Sequence, residues 1–349
     1  MKFFVRTMVL LLTTASWASG QSRSLNTLTQ LAAYIEADRE KILLEGAKSE
    51  GKVVWYTSLS GGSYKALAEA FEAKYPGVEI EVYRAVGSDL AVRMTEEAQA
   101  RRNIVDALET TQDTLMSMRE TGLLGAFNSP YIRNYPQEAR EKAENGLFFW
   151  TIARESYVGL AYNKKKIPPS AVPKGFEGLL NPALKGHLAV GTGGTSARVI
   201  GAMLKVKGEA FVKKLKGQEI RLFTLGSVAL LDQIAAWEID ASPVIYQTNA
   251  LEAAEKGAPI EWVPMELAPV NAGGAVIAAR PPHPHAGLLL VDFLLGPDGQ
   301  KILERFKYGS ATKDYGFKRW YPEAGLTSEQ YERELMKWEK IMSSIVRRP

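Results

Sequence analysis

The stretch KVVWYTSLSGGSYKALAEAFEAKYPG, residues 52–77, decides how the chain reads. Its apolar run Val53–Tyr56 has the length of a buried strand, and the hydroxyl- and glycine-rich turn Thr57–Gly62 follows it. Tyr64, Leu67, Ala68, Phe71 and Tyr75 then recur at helical spacing until Pro76-Gly77 stops the helix. A strand ending in a polar loop at a helix start leaves backbone N–H groups directed outward beside hydroxyls, a ready seat for a polar or anionic small molecule. One such unit is common, but here the pattern repeats. Val78–Tyr83 alternates as a second strand, and Ser88 opens a helix with Leu90, Ala91, Met94 and Ala98 on one face. Ile104–Leu108 reads as a buried strand before a short helix at Thr114–Thr121. This rhythm predicts a parallel, doubly wound sheet.

Upstream, Ser24–Ala47 has the composition of one helix. Downstream, Gly159–Tyr162 reads as a strand running into the Lys- and Pro-rich loop Lys164–Pro173, after which the rhythm restarts. Strand Leu188–Val190 leads through Gly191–Ser196 to a helix carrying Val199, Ile200, Met203 and Leu204. Ser227 opens a further helix with Leu231, Ile234 and Ala235, and Val244–Tyr246, Ile260–Val263 and Gly273–Ala279 read as strands. The tail is helical at His285–Leu295, Asp298–Phe306 and Ser328–Ile345. This order predicts two lobes, with the chain leaving the first, building the second and returning.

The 349 residues favour two domains over one. The first twenty carry Lys2 and Arg6, the apolar Met8–Leu12 and then Ala18-Ser19-Gly20, the order of an export signal cleaved near Gly20. That run is too short to span a bilayer, and no later stretch is long enough, so direct membrane insertion is not expected. The chain has no cysteine, which excludes a lipid-anchoring cysteine, disulfides, thiolate metal sites and thiol catalysis. The formal charge of +4 falls by two when Lys2 and Arg6 leave, so nucleic acid is not implied. Lys164-Lys165-Lys166 reads as a solvated loop. No Ser/His/Asp order, glycine-rich nucleotide fingerprint or HExxH stretch is present, and neither catalysis nor a cofactor is expected.

Taken in order, GKVVWYTSLSGG (51–62), AFEAKYPGVEIEVYRA (70–85), ETGLLGAFNSP (120–130), VGLAYNKKKIP (158–168), FEGLLNPALKGHLAVG (176–191), EKGAPIEWVP (255–264) and GGAVIAARPPHPHAGLLLVDFLLGPDGQKIL (273–303) resemble the type II periplasmic substrate-binding proteins of ABC transporters, in the cluster that includes ferric-ion-binding proteins. The resemblance covers nearly the whole mature chain. It implies a two-lobed α/β fold, each lobe a doubly wound mixed sheet flanked by helices, with a hinge between them. Carried onto this chain, the hinge crossings fall near Thr151–Val158 and Val270–Gly274. Lobe one is then 21–152 plus 273–349, and lobe two 153–272. The resemblance implies a monomeric periplasmic receptor for a small solute, with an ABC permease as partner. An enzyme or a sensory domain on the same architecture is the alternative of another class.

A cleft between the lobes gathers the strand ends of both sheets. Four loops at strand ends and helix starts would line it: Thr57, Ser58, Ser60 and Gly61; Ser88; Thr192, Gly194, Thr195 and Ser196; and Ser227. Each could equally be an ordinary helix cap. Arg154, at the predicted crossing, could hold a carboxylate, phosphonate or phosphate, or pair with a glutamate between the lobes. Asn271 lies on the return crossing. Trp55, Tyr56, Tyr157 and Tyr246 could stack on an organic ligand, Tyr246 being the best placed, while Trp55 and Tyr56 alternate along one strand, so at least one of them is expected in the core. Arg84 and Arg198 read as solvated. Ferric-binding relatives use adjacent tyrosines with a histidine and an acid. Here Tyr246 stands between Ile245 and Gln247, and the Thr57–Gly62 loop has no histidine. Fe(III) would therefore need an external synergistic anion to complete its shell, and no metal site is expected in the protein alone. His187, His283 and His285 read as structural or solvated. An anionic or zwitterionic solute is the expected cargo, with Fe(III) plus anion as the alternative.

Overall fold

The computed structural model describes residues 27–347, so the export-signal reading lies outside the described residues. Helices α1 (Leu28–Ala33) and α2 (Arg39–Glu50) lead into β1 (Lys52–Thr57), α3 (Ser63–Lys74), β2 (Glu79–Arg84), α4 (Gly87–Gln99), β3 (Ala107–Thr111) and α5 (Gln112–Glu120). After several 3-10 turns, β4 (Arg140–Lys142) precedes the 16-residue β5 (Phe148–Asn163). The second half is β6 (Ala189–Gly191), α6 (Gly194–Lys207), α7 (Glu209–Lys214), β7 (Arg221–Phe223), α8 (Ser227–Ala235), β8 (Ala241–Tyr246), α9 (Gln247–Glu255) and β9 (Ile260–Val263). Strand β10 (Ala268–Ile277) then returns to α10 (Pro284–Leu295), α11 (Pro297–Arg305), β11 (Arg319–Trp320) and α12 (Ser328–Ile345).

The first-lobe strands lie in the order β2-β1-β3-β10-β5-β4. β1 runs parallel to β2 and β3, as the βα rhythm predicts. β10 is antiparallel to both β3 and β5, so the sheet is mixed and not all-parallel. The reason is directional: β10 enters from the second lobe, opposite to a strand supplied by a right-handed βαβ crossover. From Val158 onward β5 leaves β10 and pairs with β8 and β9, which makes one strand a member of both lobes. The stretches 151–158 and 270–274 lie in or beside this β5–β10 pairing.

Local sequence explains the elements that frame the cleft. Leu67 and Phe71 of α3 are fully buried, each contributing roughly 1.5–3 kcal/mol, and Phe71 meets Phe293 of α10 edge-on at 5.6 Å. α10 is buried from Ala286 to Leu295 and backs the sheet as the central helix of the first lobe.

Two expectations need correcting. The single N-terminal helix is broken between Ala33 and Arg39, because Arg39 turns inward, donates to the Leu31 carbonyl at 2.8 Å and pairs with Asp292 at 2.6 Å. Burial holds the Asp292 carboxyl above its ordinary value, although Arg39 draws it down. At the other end, the reading returns all of 273–349 to the first lobe, whereas α12 packs on α6 of the second. Gly201 makes room for the Trp338 ring, whose nearest atom would lie 2.8 Å from a Cβ there.

Candidate functional site

The cleft between the lobes measures about 630 Å³, within the range of small-molecule sites. Its floor is the β5–β10 pair, which carries Arg154, Ser156 and Asn271. Ser58, Ser60 and Gly61 border it from the loop after β1, and Tyr246 borders it from the end of β8.

Arg154 organises the floor. Its Nε donates to Glu109 Oε1 at 2.9 Å, and Nη1 donates to Asn271 Oδ1 at 3.2 Å. Nη2 has no protein partner among the described residues, and the Arg154 side chain is 7 % exposed, at the cleft. Burial works against the guanidinium charge, but Glu109, Tyr308 and Tyr246 together favour it, so its pKa lies above the ordinary value. Glu109 also accepts from Thr57 Oγ1 at 2.9 Å. On the far side, Asn271 Nδ2 donates to the Tyr246 hydroxyl at 3.1 Å, which shares a hydrogen bond with Thr195 Oγ1 at 2.9 Å. A continuous polar chain thus runs Thr57–Glu109–Arg154–Asn271–Tyr246–Thr195 from one lobe to the other.

Five helices begin at this cleft: α3 at Gly62, α4 at Val86 and Gly87, α5 at Thr111, α8 at Val228, and α9 at Tyr246 and Thr248. None of the five has a side-chain cap among the described residues. First-turn N–H groups of this kind favour an anion, although Asp89 and Asp113 stand in the first turns of α4 and α5 and Asp113 accepts from the Thr114 N–H at 2.8 Å.

Of the residues singled out by sequence, the structure brings Ser58, Ser60, Gly61, Arg154, Tyr246 and Asn271 to the cleft wall. Thr57 is fully buried beneath Glu109. Thr195 and Ser227 stand behind Tyr246, Ser227 accepting from the Tyr246 backbone N–H at 3.3 Å. Ser88 lies outside the lining and donates to its neighbour Asp89. Thr192, Gly194 and Ser196 are also outside it, Ser196 being buried within α6.

Trp55, Tyr56 and Tyr157 are corrected as stacking candidates. All three are buried, because β1 and β5 are central strands covered on both faces. Arg198 is corrected as well. It is buried, donates to the Tyr331 hydroxyl at 2.7 Å, and pairs with Glu323 at 2.9 Å and Asp113 at 3.3 Å. Arg84 is exposed and caps the Leu59 carbonyl at 3.1 Å. The three histidines each face a separate carboxylate: His187 Asp240, His283 Asp106, and His285 Glu50. Among the described residues no group of three or more His, Asp or Glu gathers where it could hold a metal ion.

Sequence reasoning missed Ser156, Phe306, Tyr308 and Glu252. Ser156 was within reach, since it shares the strand face of Arg154 two residues on. Tyr308 meets the Ser60 hydroxyl at 3.2 Å and lies under the Arg154 guanidinium at 5.6 Å, contacts made only by tertiary approach.

Residues 56–309 match the family model of the bacterial extracellular solute-binding proteins. No curated protein sequence matches the chain. Among solved structures, FutA (IdiA) of Trichodesmium, in complex with iron and citrate, superposes with a TM-score of 0.66 at 19 % identity, covering 84 % of this chain and 99 % of its own. Iron-bound HitA of Pseudomonas aeruginosa gives 0.64 at 24 %, covering 83 % and 98 %. AfuA of Actinobacillus pleuropneumoniae, with fructose-6-phosphate bound, gives 0.62 at 21 %, covering 84 % and 99 %. At these identities the likeness establishes the two-lobed fold.

Proposed function

The chain belongs to the bacterial extracellular solute-binding proteins, and we propose that it is a periplasmic receptor that closes on a small anionic or zwitterionic solute and delivers it to an ABC permease. The observation that carries this reading is Arg154, with Nη2 free of partners among the described residues, at the floor of a cleft ringed by five helix starts without an N-cap side-chain bond. Guanidinium and helix starts favour the same ligand chemistry, a carboxylate, phosphate or phosphonate group. Ser58, Ser60 and Ser156 supply hydroxyls that accept or donate around it. The rest of the mechanism is mechanical: a solute that touches both lobes stabilises the closed state and shifts the population toward it. The moving bodies are the first lobe through α11 and the second lobe with α12, hinged on β5 and β10. Citrate and fructose-6-phosphate, present in two of the similar structures, are themselves anions.

A thermal-shift screen of carboxylates, phosphate esters, phosphonates and polyamines tests the reading. A ligand at a hundred times its dissociation constant adds about 2.7 kcal/mol of stability. A response to polyamines alone would remove it. One observation favours a second cargo: the phenols of Tyr246 and Tyr308 border the same cleft as Glu252, a hard-oxygen set that could share Fe(III) with an external anion. Ferric citrate would then bind with a visible phenolate-to-iron band that citrate alone does not produce.

A further inference from the structure

Among the described residues Glu252 is the one acidic side chain lining the cleft. It lies one turn beyond Thr248 and Asn249 on α9, and all three border the cavity. Its carboxylate is exposed and has no hydrogen-bond or ion-pair partner among the described residues. The cation that reaches over from the first lobe is already committed: Lys307 pairs with Glu255, three residues on, at 2.6 Å. Arg154 does not balance Glu252 either, because Glu109 neutralises it from 2.9 Å. Among the described residues the side-chain charges of Arg154, Glu109 and Glu252 therefore sum to a net negative, offset by the helix starts around the cleft. A purely anionic solute would leave Glu252 facing it uncompensated. A solute with a cationic group at its other end satisfies both.

We propose that the cleft selects a zwitterion, with its anionic end on Arg154 Nη2 and the surrounding amides and its ammonium group at Glu252. Val86 and Val228, 50 % and 58 % exposed on opposing lobes, border the same cleft and cover the hydrocarbon between the two charges. This inference rests on the anion-receptor reading above and narrows it.

The test is isothermal titration of the full mature protein and of Glu252→Gln with matched pairs. These are 4-aminobutyrate against butyrate, 3-aminopropylphosphonate against propylphosphonate, and phenylalanine against 3-phenylpropionate. In at least one pair the aminated member should bind about ten-fold tighter or more, as for a charge-assisted hydrogen bond. Glu252→Gln should bring that preference within about two-fold, strengthen the amine-free acids rather than weaken them, and leave the unliganded melting temperature unchanged because Glu252 is exposed. Amine-free acids that bind as tightly as their partners, or a preference that survives Glu252→Gln, overturn the zwitterion inference and leave the anion receptor standing. Binding of putrescine alone, or of no probe, overturns both.

Discussion

Arg154 and Glu109 meet at 2.9 Å by reaching over β10, the strand that separates theirs, at the point where β10 carries Gly273. A Cβ at that position would stand 2.2 Å from Glu109 Oε1 and 2.6 Å from Arg154 Nε. Gly273 is therefore required by close approach. Gly273→Ala should push the pair apart and cost roughly 1–3 kcal/mol, the range for overpacking a filled site. Solute affinity should fall with it. Urea denaturation and calorimetric titration check the two effects separately.

The pair's structural role and its ligand role can be separated by a double-mutant cycle. Arg154→Met leaves Glu109 buried and unpaired, and should cost about 3–5 kcal/mol. Arg154→Met combined with Glu109→Leu removes both charges and should restore most of that stability. Solute binding should be absent from both variants, because the guanidinium is missing in each. A double variant that regains stability and also binds would show that Arg154 only holds the floor together.

Much of this arrangement was legible in the sequence, for reasons that differ along the chain. The strand, polar loop and helix of 52–77 were readable because local periodicity and Pro76-Gly77 fix them without help from distant residues. The bounds of α12 at Ser328 and Ile345 agree with the reading because Thr327 and Gln330 form a capping box at its start. Where α12 packs was not readable, since its docking depends on Gly201 and Trp338, more than a hundred residues apart. The same limit hid Tyr308 and Glu252, and it turned Arg198 from an expected surface residue into a buried partner of Glu323. A charged residue in a helical pattern looks solvated until the neighbouring element that covers it is known.

The buried cluster around Arg198 makes a pH prediction. Burial raises the Glu323 carboxyl above its ordinary value, and the opposing pull of Arg198 does not cancel it. A folded pKa above the unfolded one means that the native state binds this proton more readily. The Glu323 contribution is then fully present below the ordinary glutamate range and is lost as pH rises through the raised folded value. Glu323→Gln removes the titration. The stability difference, wild type minus Glu323→Gln, should therefore fall as pH is raised from about 4 toward neutrality, read from urea midpoints at each pH. A difference that grows with pH would show that the ion pair with Arg198 dominates burial.

Tyr246 distinguishes the two cargoes. Its hydroxyl joins Asn271 on the return crossing to Thr195 at the start of α6, so it links the floor of the cleft to the second lobe. Tyr246→Phe removes two hydrogen bonds worth about 1 kcal/mol each and leaves the ring in place. If the solute is an organic anion or zwitterion seated on Arg154, the hydroxyl acts by holding Asn271 and Thr195 in position. Affinity should then weaken on the order of ten-fold, with binding retained. If the solute is Fe(III) with an accompanying anion, the phenolate is itself a donor to the metal. The substitution leaves Tyr308 as the one phenol of that set, so the visible band should weaken and ferric binding should fall by more than the loss shown by the free anion. Titrating Tyr246→Phe with ferric citrate and with citrate, followed by calorimetry and absorbance, separates the cases, because only a phenolate ligand makes colour and ferric affinity fall together.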